Sequence, residues 1–191
     1  MNLIHPMIFN HINALLDRQS RVIVAIDGNC AAGKTTLAAA LARHYSCTVL
    51  HMDDFFLRPE QRTAQRLAQP GGNVDYERFQ EEILEPLRKD IPFCYRAYDC
   101  GKQELAEPVS VIPERLTIIE GSYSHHPYFG DVYDLRIFLT VSPALQRERI
   151  EHRSAFLRQR FLQEWIPMEQ LFFDTFRIKE QADLVLESSN D

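Results

Sequence analysis

The fold of this chain is decided by the stretch RVIVAIDGNCAAGKTT, which runs from Arg21 to Thr36. The part from Val22 to Ile26 is a short apolar run rich in β-branched residues, which is typical of a buried strand. The residues from Lys34 to His44 are rich in Ala and Leu, which predicts a helix. The glycine-containing turn between them therefore joins a buried strand directly to a helix.

This turn has the spacing GxxxxGK[ST] of a Walker A phosphate-binding loop. Gly28 and Gly33 permit backbone angles that let successive N–H groups surround phosphate oxygens. We expect Lys34 to reach the β- and γ-phosphates and the Thr35 hydroxyl to ligate Mg²⁺. The sequence therefore predicts a nucleoside triphosphate site, formed by Gly28, Asn29, Cys30, Ala31, Ala32, Gly33, Lys34, Thr35 and Thr36.

Length and composition favour a single domain over residues 1–191, because 45% hydrophobic residues can supply one adequate core. The formal net charge of -6 argues against a nucleic-acid binder, whose phosphate contacts favour a basic face. No apolar run approaches the roughly 20 residues that cross a bilayer, so we expect no membrane span. The cysteines show neither a CxxC pair nor metal-ligand spacing, which favours reduced thiols and a cytoplasmic location; they are Cys30, Cys47, Cys94 and Cys100.

Within residues 1–20, apolar side chains recur at helical spacing and predict a packing helix in front of the first strand. They are Leu3, Ile4, Met7, Ile8, Ile12, Leu15 and Leu16.

Strands and helices alternate along the rest of the chain, which predicts a three-layer α/β sandwich with a mostly parallel five-stranded sheet. A helix is predicted after Asp75, which is placed to cap it. Residues 91–113 alternate aromatic, proline and acidic residues and predict short strands or an extended flap. Further buried strands are predicted at Cys47 to His51, Leu116 to Ile119, Leu135 to Thr140 and Asp183 to Glu187.

Carboxylates follow two of these strands, at the edge of the sheet where ligand groups collect. Asp53 comes soon after His51, and Glu120 comes directly after Ile119. A hydroxyl that attacks a γ-phosphate needs a carboxylate to orient it and take its proton, and Mg²⁺ needs a carboxylate nearby. Asp53 and Glu120 can supply both, whereas the role of Asp54, a turn cap or a site residue, stays open.

Taken in order, these motifs resemble the uridine kinase, phosphoribulokinase and pantothenate kinase family of P-loop kinases, and particularly its uridine kinase and nicotinamide riboside kinase branch. The resemblance implies a P-loop NTPase fold, use of ATP and Mg²⁺, and an arginine-rich lid at about residues 153–165. The resemblance extends over about residues 21–187. The segments that match, in order along the chain, are Ala25-Ile-Asp-Gly28, Gly33-Lys-Thr-Thr36, Met52-Asp-Asp-Phe-Phe56, Asn73-Val-Asp-Tyr76, Tyr98-Asp99, Ile119-Glu-Gly121, the arginines of 147–160 and Ala182-Asp-Leu-Val-Leu186.

The resemblance also implies roles on the acceptor side. Asp53 is implied as the general base and as a carboxylate associated with Mg²⁺, together with Thr35 and Glu120. Asp75 is implied to accept hydrogen bonds from ribose hydroxyls, because a carboxylate suits a vicinal diol. Phe56 and Tyr98 are implied as substrate-binding residues, with Tyr98 at the nucleoside pocket.

The arginines are implied to form the lid. Arg153 and Arg160 would bind ATP, and Arg158 would contact both the substrate and the transferring phosphoryl group, together with Lys34. For Arg147 and Arg149 we also expect pairing with Glu148 and Glu151 on a solvated helix face.

Two segments differ from uridine kinases. Those enzymes follow the Tyr-Asp pair with an aromatic residue and a histidine that help to read the pyrimidine, whereas here Asp99 is followed by Cys100-Gly-Lys-Gln103. This difference leaves the acceptor open. The adjacent His125 and His126 diverge too much for a metal site, and they predict a surface loop in preference to a substrate contact.

The sequence thus predicts an ATP-dependent kinase that transfers the γ-phosphoryl group to a primary hydroxyl, in the first place the 5′-hydroxyl of a nucleoside. Nicotinamide riboside, pantothenate or a sugar are the alternative acceptors. An ATP-binding regulatory or accessory NTPase module is the alternative of another class, and the pair of Asp53 and Asp75 favours the kinase. The choices between ATP and GTP and between monomer and homo-oligomer stay open.

Overall fold

In the computed structural model, which describes residues 6–189, the chain forms nine strands and eight α-helices. The strands are β1 (Val22–Gly28), β2 (Cys47–His51), β3 (Phe93–Tyr95), β4 (Tyr98–Asp99), β5 (Glu104–Leu105), β6 (Val109–Val111), β7 (Leu116–Glu120), β8 (Leu135–Val141) and β9 (Leu184–Ser188). The helices are α1 (Pro6–Leu16), α2 (Lys34–His44), α3 (Ala64–Leu67), α4 (Tyr76–Phe79), α5 (Glu85–Lys89), α6 (Pro143–Glu151), α7 (Ala155–Arg160) and α8 (Ile166–Phe176).

Shorter helical turns connect these elements. A π-helical turn, Gln80–Leu84, joins α4 to α5, and a second one, Phe161–Trp165, joins α7 to α8. Single 3₁₀ turns lie at Met52–Phe55, Pro59–Gln61 and Pro127–Phe129.

Five strands form one parallel sheet in the order β2-β7-β1-β8-β9. β1 lies in the middle, so that Ile26 is opposite Glu120 of β7 on one side and Ile137 of β8 on the other. All seven residues of β1 are buried, as expected for a parallel strand that is covered on both faces. The predicted five-stranded parallel sheet is confirmed.

Alternate residues of β1 contribute to two separate cores, one on each face of the sheet. Val24 belongs to the same core as Ile12 of α1 and several residues of α2. Ala25 belongs to the other core, with Phe79 of α4 and Phe172 of α8. Helices on both faces of a sheet make three layers, which is the predicted sandwich.

The predicted helix after Asp75 is also confirmed. The Asp75 carboxylate accepts a hydrogen bond from the Arg78 N–H at 3.2 Å and caps α4. The continuous helical segment from α4 to α5 buries Phe79, Ile83, Leu84 and Leu87 completely.

The segment 91–113 forms short strands, one of the two predicted possibilities. β3 pairs with β6 and β4 pairs with β5, in each case antiparallel. Near the start of the chain, α1 matches the predicted packing helix, although Leu3 and Ile4 of the predicted pattern lie outside the described residues. None of the helices within residues 6–189 combines the length and the apolar character needed to span a bilayer.

Candidate active site

The phosphate loop lies between β1 and α2, where the sequence places it. Gly28 has a φ of 137°, and a Cβ at this position would collide with the backbone of Leu139 on β8. Ala31 and Gly33 also have positive φ values, 60° and 93°. Residues in this conformation within a turn bring backbone N–H groups together into a concave surface that suits an anion. The loop geometry therefore fits a phosphate chain.

Lys34, the first residue of α2, is held against this loop. Its Nζ donates hydrogen bonds to the carbonyl of Gly28 at 2.6 Å and to that of Asn29 at 3.1 Å. The side chain is largely buried, and the N-terminus of α2 adds the positive end of a helix dipole. A fixed ammonium group and a helix N-terminus thus face the same small volume.

The carboxyl end of β7 meets the first turn of α2. The Thr35 hydroxyl donates to the Glu120 carboxylate, with distances of 3.1 and 3.2 Å to its two oxygens. His51, at the end of β2, places its Nδ1 2.6 Å from Glu120 Oε1, and this hydrogen bond raises the pKa of His51. Glu120 is only 4% exposed, so its carboxylate interacts mainly with Thr35 and His51 and little with solvent.

Asp53 lies in the 3₁₀ turn after β2 and borders Gly121, where an added Cβ would stand 3.6 Å from Asp53 Oδ1. Asp53 is exposed to solvent. The surrounding protein atoms and the neighbouring charge of Glu120 raise the pKa of Asp53, and Lys34 opposes that shift. Asp53 therefore shares one electrostatic environment with Glu120 and Lys34.

The three residues predicted to bind Mg²⁺ fit this ion only if a bound nucleotide supplies further ligands. Within residues 6–189, no group of three or more His, Cys, Asp and Glu side chains is arranged around a common metal position. Mg²⁺ is usually bound by one or two carboxylates, with substrate phosphates and water as the other ligands. Thr35, Asp53 and Glu120 supply the hydroxyl and carboxylates that such a site needs.

A buried acid of α8 also reaches the phosphate loop. Glu169 Oε2 accepts a hydrogen bond from the Cys30 N–H at 2.7 Å, and Oε1 accepts one from the Ser122 hydroxyl at 2.5 Å. Lys34 Nζ lies 4.0 Å from Oε1. Burial raises the pKa of Glu169, while Lys34 and both hydrogen bonds lower it.

Asp75 is enclosed and already fully engaged by protein groups. It is 2% exposed, and besides the Arg78 N–H it accepts a hydrogen bond from Gln61 Nε2 at 2.8 Å. Arg78 Nε lies 3.6 Å from its Oδ2. A ribose hydroxyl can reach this carboxylate only if Gln61 moves away.

The two aromatic residues predicted on the acceptor side are partly structural. Tyr98 is 4% exposed, and its hydroxyl accepts a hydrogen bond from Arg62 at 3.4 Å. Phe56 is half-buried, packs against the core, and forms an antiparallel bridge with Val74. The strand β4, which carries Tyr98, lies against the turn that carries Asp53, and Phe56 directly follows that turn.

The predicted lid comprises α7 and the π-helical turn Phe161–Trp165. Arg153 is exposed just before α7, and Arg158 is half-buried within it. Arg160 pairs with Glu164 at 3.2 Å and lies 4.7 Å from the centroid of the Trp165 ring. Arg160 is therefore engaged within the segment 153–165 itself.

The expectation for Arg149 is wrong. Instead of pairing with glutamates on a solvated helix face, it donates hydrogen bonds to the Ala31 carbonyl and the Ser188 hydroxyl, both at 2.8 Å. It also donates to the Ser189 carbonyl at 2.9 Å. Because α6 packs beside the end of β9, Arg149 ties the phosphate loop to that strand.

The surface loop predicted for the two histidines is also wrong, since His125 and His126 are each 7% exposed. The His126 ring stacks between Tyr76 and Phe172, with centroid distances of 4.4 and 5.6 Å. The His125 N–H donates to the Asp27 carboxylate at 3.0 Å. Burial lowers the pKa of both histidines to about 4, so both are neutral at pH 7.

Sequence reasoning missed His51, Glu169 and Gln61. His51 could have been found, because it ends a strand beside the acidic turn. Glu169 lies at helical spacing from Phe172 and Phe173, and this places an acidic side chain on the buried face of α8. Gln61 carried no sequence signal, since its contact with Asp75 depends on the path of an irregular segment.

Comparison with known proteins supports this reading of the fold. No model of a known protein family matches the chain. The chain is 24% identical over 168 residues to a Schizosaccharomyces pombe protein named "Putative uridine kinase", and the alignment covers 76% of this chain and 72% of that protein.

Solved structures with similar folds include a "possible uridine kinase" from Bacillus stearothermophilus, with a TM-score of 0.64 and 18% identity over 94% of this chain and 99% of that one. A "putative fructose transport system kinase" from a Silicibacter species has a TM-score of 0.61 and 24% identity, over 94% and 97% of the two chains. Phosphoribulokinase from Rhodobacter spheroides has a TM-score of 0.55 and 11% identity, over 88% and 70%. The chain therefore has a P-loop kinase fold, and the resemblance to the uridine kinase and phosphoribulokinase family is confirmed.

Proposed function

We propose that this chain is an ATP-dependent kinase that transfers the γ-phosphoryl group to a primary hydroxyl of a small molecule, in the first place the 5′-hydroxyl of a nucleoside. The observation that carries the proposal is the position of Asp53. Asp53 is an exposed residue whose carboxylate interacts electrostatically with Glu120 and Lys34. A carboxylate at the open side of a triphosphate site suits the orientation of an acceptor hydroxyl.

On the donor side, bound ATP would supply the γ-phosphoryl group, and Mg²⁺ would neutralise charge on the β- and γ-phosphates. The backbone N–H groups of the loop would bind the phosphates, because the positive φ values at Ala31 and Gly33 shape the concave surface. Lys34 needs little reorganisation, since two carbonyl groups already hold its ammonium at the loop. The Thr35 hydroxyl and the Glu120 carboxylate would hold the metal side.

Asp53 would hold the acceptor hydroxyl in line with the γ-phosphate and receive its proton. The transition state of phosphoryl transfer is regarded as loose, so positioning and charge neutralisation matter more than the strength of the base. The raised pKa of Asp53 still brings this carboxylate closer to the pH at which a general base works best.

The name of the fission yeast relative supports a nucleoside as acceptor, and the fructose transport system kinase supports a sugar as an alternative. Nicotinamide riboside and pantothenate are further alternatives. On this proposal Tyr98 lines the acceptor pocket, and Asp75 binds ribose hydroxyls once the acceptor has displaced Gln61.

The lid arginines Arg153, Arg158 and Arg160 would close over the bound nucleotide, exclude water and add positive charge at the transferring group. Closure would require Arg160 to exchange Glu164 for the phosphates. All four cysteines are free thiols, which supports a reducing compartment and hence the cytoplasm.

The proposal is tested by measuring ADP release with Mg-ATP and a panel of nucleosides, nicotinamide riboside, pantothenate and sugars. We expect release that depends on one class of acceptor. Asp53→Asn should lower kcat for that acceptor about 100-fold while leaving ATP affinity nearly unchanged.

Asp54→Asn is the matched control. The Asp54 carboxylate accepts a hydrogen bond from the Tyr95 hydroxyl at 3.0 Å, so its loss should affect mainly local packing. Release of ADP at the same rate with and without every acceptor would instead support a regulatory or accessory NTPase. Near-normal turnover by Asp53→Asn would remove Asp53 from the role of base.

A further inference from the structure

The phosphate loop is held by side chains of two helices, α6 and α8. Glu169 of α8 accepts from the Cys30 N–H at 2.7 Å. Gln146 of α6 donates to the Cys30 carbonyl at 2.9 Å, and Arg149 of α6 donates to the Ala31 carbonyl at 2.8 Å. Among these, Glu169 is the acid, and it is 4% exposed.

A buried carboxylate is stable only when its oxygens have hydrogen-bond donors and its charge has a counter-charge. Glu169 meets this requirement with two hydrogen bonds, from Cys30 and from Ser122, and with Lys34 at 4.0 Å. Ser122 follows the strand that ends at Glu120. One carboxylate therefore connects the loop after β1, the loop after β7 and the helix that follows the lid.

The Cys30 N–H belongs to the phosphate loop but is directed at Glu169. It is thus removed from the set of amides that can face a phosphate chain, and so is the Ala32 N–H, which donates to the Asn29 carbonyl at 3.0 Å. The helix α7, the π-helical turn and α8 follow one another without a break. A displacement of α8 would therefore move the proposed lid and would also change the contact between Glu169 and the Cys30 N–H.

We propose that Glu169 is a positioning residue: by binding the Cys30 N–H it fixes the phosphate loop in its binding conformation and couples that conformation to the helix that carries the lid. This inference rests on the proposed function, since it assigns the loop to a triphosphate. It predicts that loss of the carboxylate loosens the loop before any nucleotide is present, and that triphosphate binding weakens as a consequence.

Glu169→Gln tests the proposal, because a neutral amide weakens the charge-assisted hydrogen bond from the Cys30 N–H and removes the negative charge beside Lys34. Asp174→Asn is the matched control, since Asp174 is an exposed acid of the same helix, hydrogen-bonded to Gln170. We expect hydrogen exchange of the Cys30 amide, followed by NMR in protein labelled with ¹⁵N-cysteine and free of nucleotide, to be about tenfold faster in Glu169→Gln. The dissociation constant for ATP, measured by calorimetry without Mg²⁺, should rise about tenfold. Asp174→Asn should change neither quantity.

If Glu169→Gln does not fold, Glu169→Asp replaces it, because the shorter side chain keeps the charge but cannot reach both Cys30 and Ser122. Ser122→Ala leaves the bond to Cys30 in place, so Cys30 exchange should stay at the wild-type rate. Wild-type exchange of the Cys30 amide in the Glu169 variants would overturn the inference, as would ATP binding at wild-type strength despite faster exchange. Failure of the wild-type protein to bind ATP would count against the proposed function, while the exchange experiment would still decide whether Glu169 fixes the loop.

Discussion

The donor side and the acceptor side of the candidate site are constructed by different means. The donor side is the phosphate loop at 28–36, where main-chain geometry and neighbouring residues in sequence supply the groups that would face the phosphates. The acceptor side, residues 53–78 together with 93–111, is held by contacts between side chains. In that region Arg66 makes two hydrogen bonds of 2.6 Å to Glu77, donates to the Gly72 and Val74 carbonyls at 3.0 and 2.9 Å, and lies 3.8 Å from the Tyr76 ring centroid.

This difference explains why a short motif is enough to identify the donor side. Backbone N–H groups are the same in every residue, so a few glycines at a fixed spacing define where they point. Side-chain networks depend on the identity and path of many residues. Substitutions should therefore affect chemistry most strongly on the donor side, and stability most strongly on the acceptor side.

The largest effect is expected on the donor side for Lys34→Ala. Loss of the ammonium group fixed at the loop should lower kcat/KM for ATP about a thousandfold, while cooperative unfolding is retained. Steady-state kinetics and circular dichroism measure the two properties. Lys89→Ala, which removes an exposed lysine 3.9 Å from Glu85, should leave both unchanged. Normal ATP turnover by Lys34→Ala would contradict the assignment of the loop.

A smaller effect, and one on stability, is expected on the acceptor side for Asp75→Asn. This substitution keeps an oxygen that can cap the helix but replaces the acceptor of the Gln61 hydrogen bond with an amide N–H group and leaves Arg78 beside a neutral group, which should lower the free energy of unfolding by about 2 kcal/mol in urea. Gln61→Ala removes one hydrogen bond to Asp75 and should cost less. If Asp75→Asn unfolded like the wild type but raised the KM of the acceptor, Asp75 would be a recognition group that contributes little to the fold.

The smallest effect concerns pH and the stack of His126. Burial lowers the pKa of His126 to about 4, whereas a histidine in an unfolded chain has a pKa of about 6.5. Between these values the unfolded chain binds the extra proton, so the stabilisation is complete above about pH 6.5 and is lost as the pH falls toward 4. His126→Phe keeps the stack on Tyr76 and Phe172 without titrating.

From pH 7 to 5.5, wild-type protein should therefore lose about 1 kcal/mol more stability than His126→Phe, as measured by urea unfolding at each pH. His152→Gln, a substitution of an exposed histidine, should keep the wild-type dependence on pH. Equal pH slopes for the wild type and His126→Phe would show that protonation of this ring is not coupled to unfolding.

Much of the fold could be predicted because it depends on regular periodicity. The strand at Cys47–His51 and the capped helix after Asp75 have the predicted positions, since apolar runs and capping residues act locally. The histidine loop could not be predicted in this way. His126 is buried because Tyr76 and Phe172, which are distant in sequence, stack on its two faces.

The sequence by itself determined the phosphate loop, the order of strands and helices, and the acidic residues at the ends of β2 and β7, because strand and helix periodicity and backbone geometry are local properties. Only the tertiary structure decided that Glu169 holds the Cys30 N–H, that Gln61 covers Asp75 and that Arg149 ties the loop to β9. Each of these contacts joins residues on different elements. Such contacts arise only when burial brings the elements together and their polar groups must find partners inside the protein.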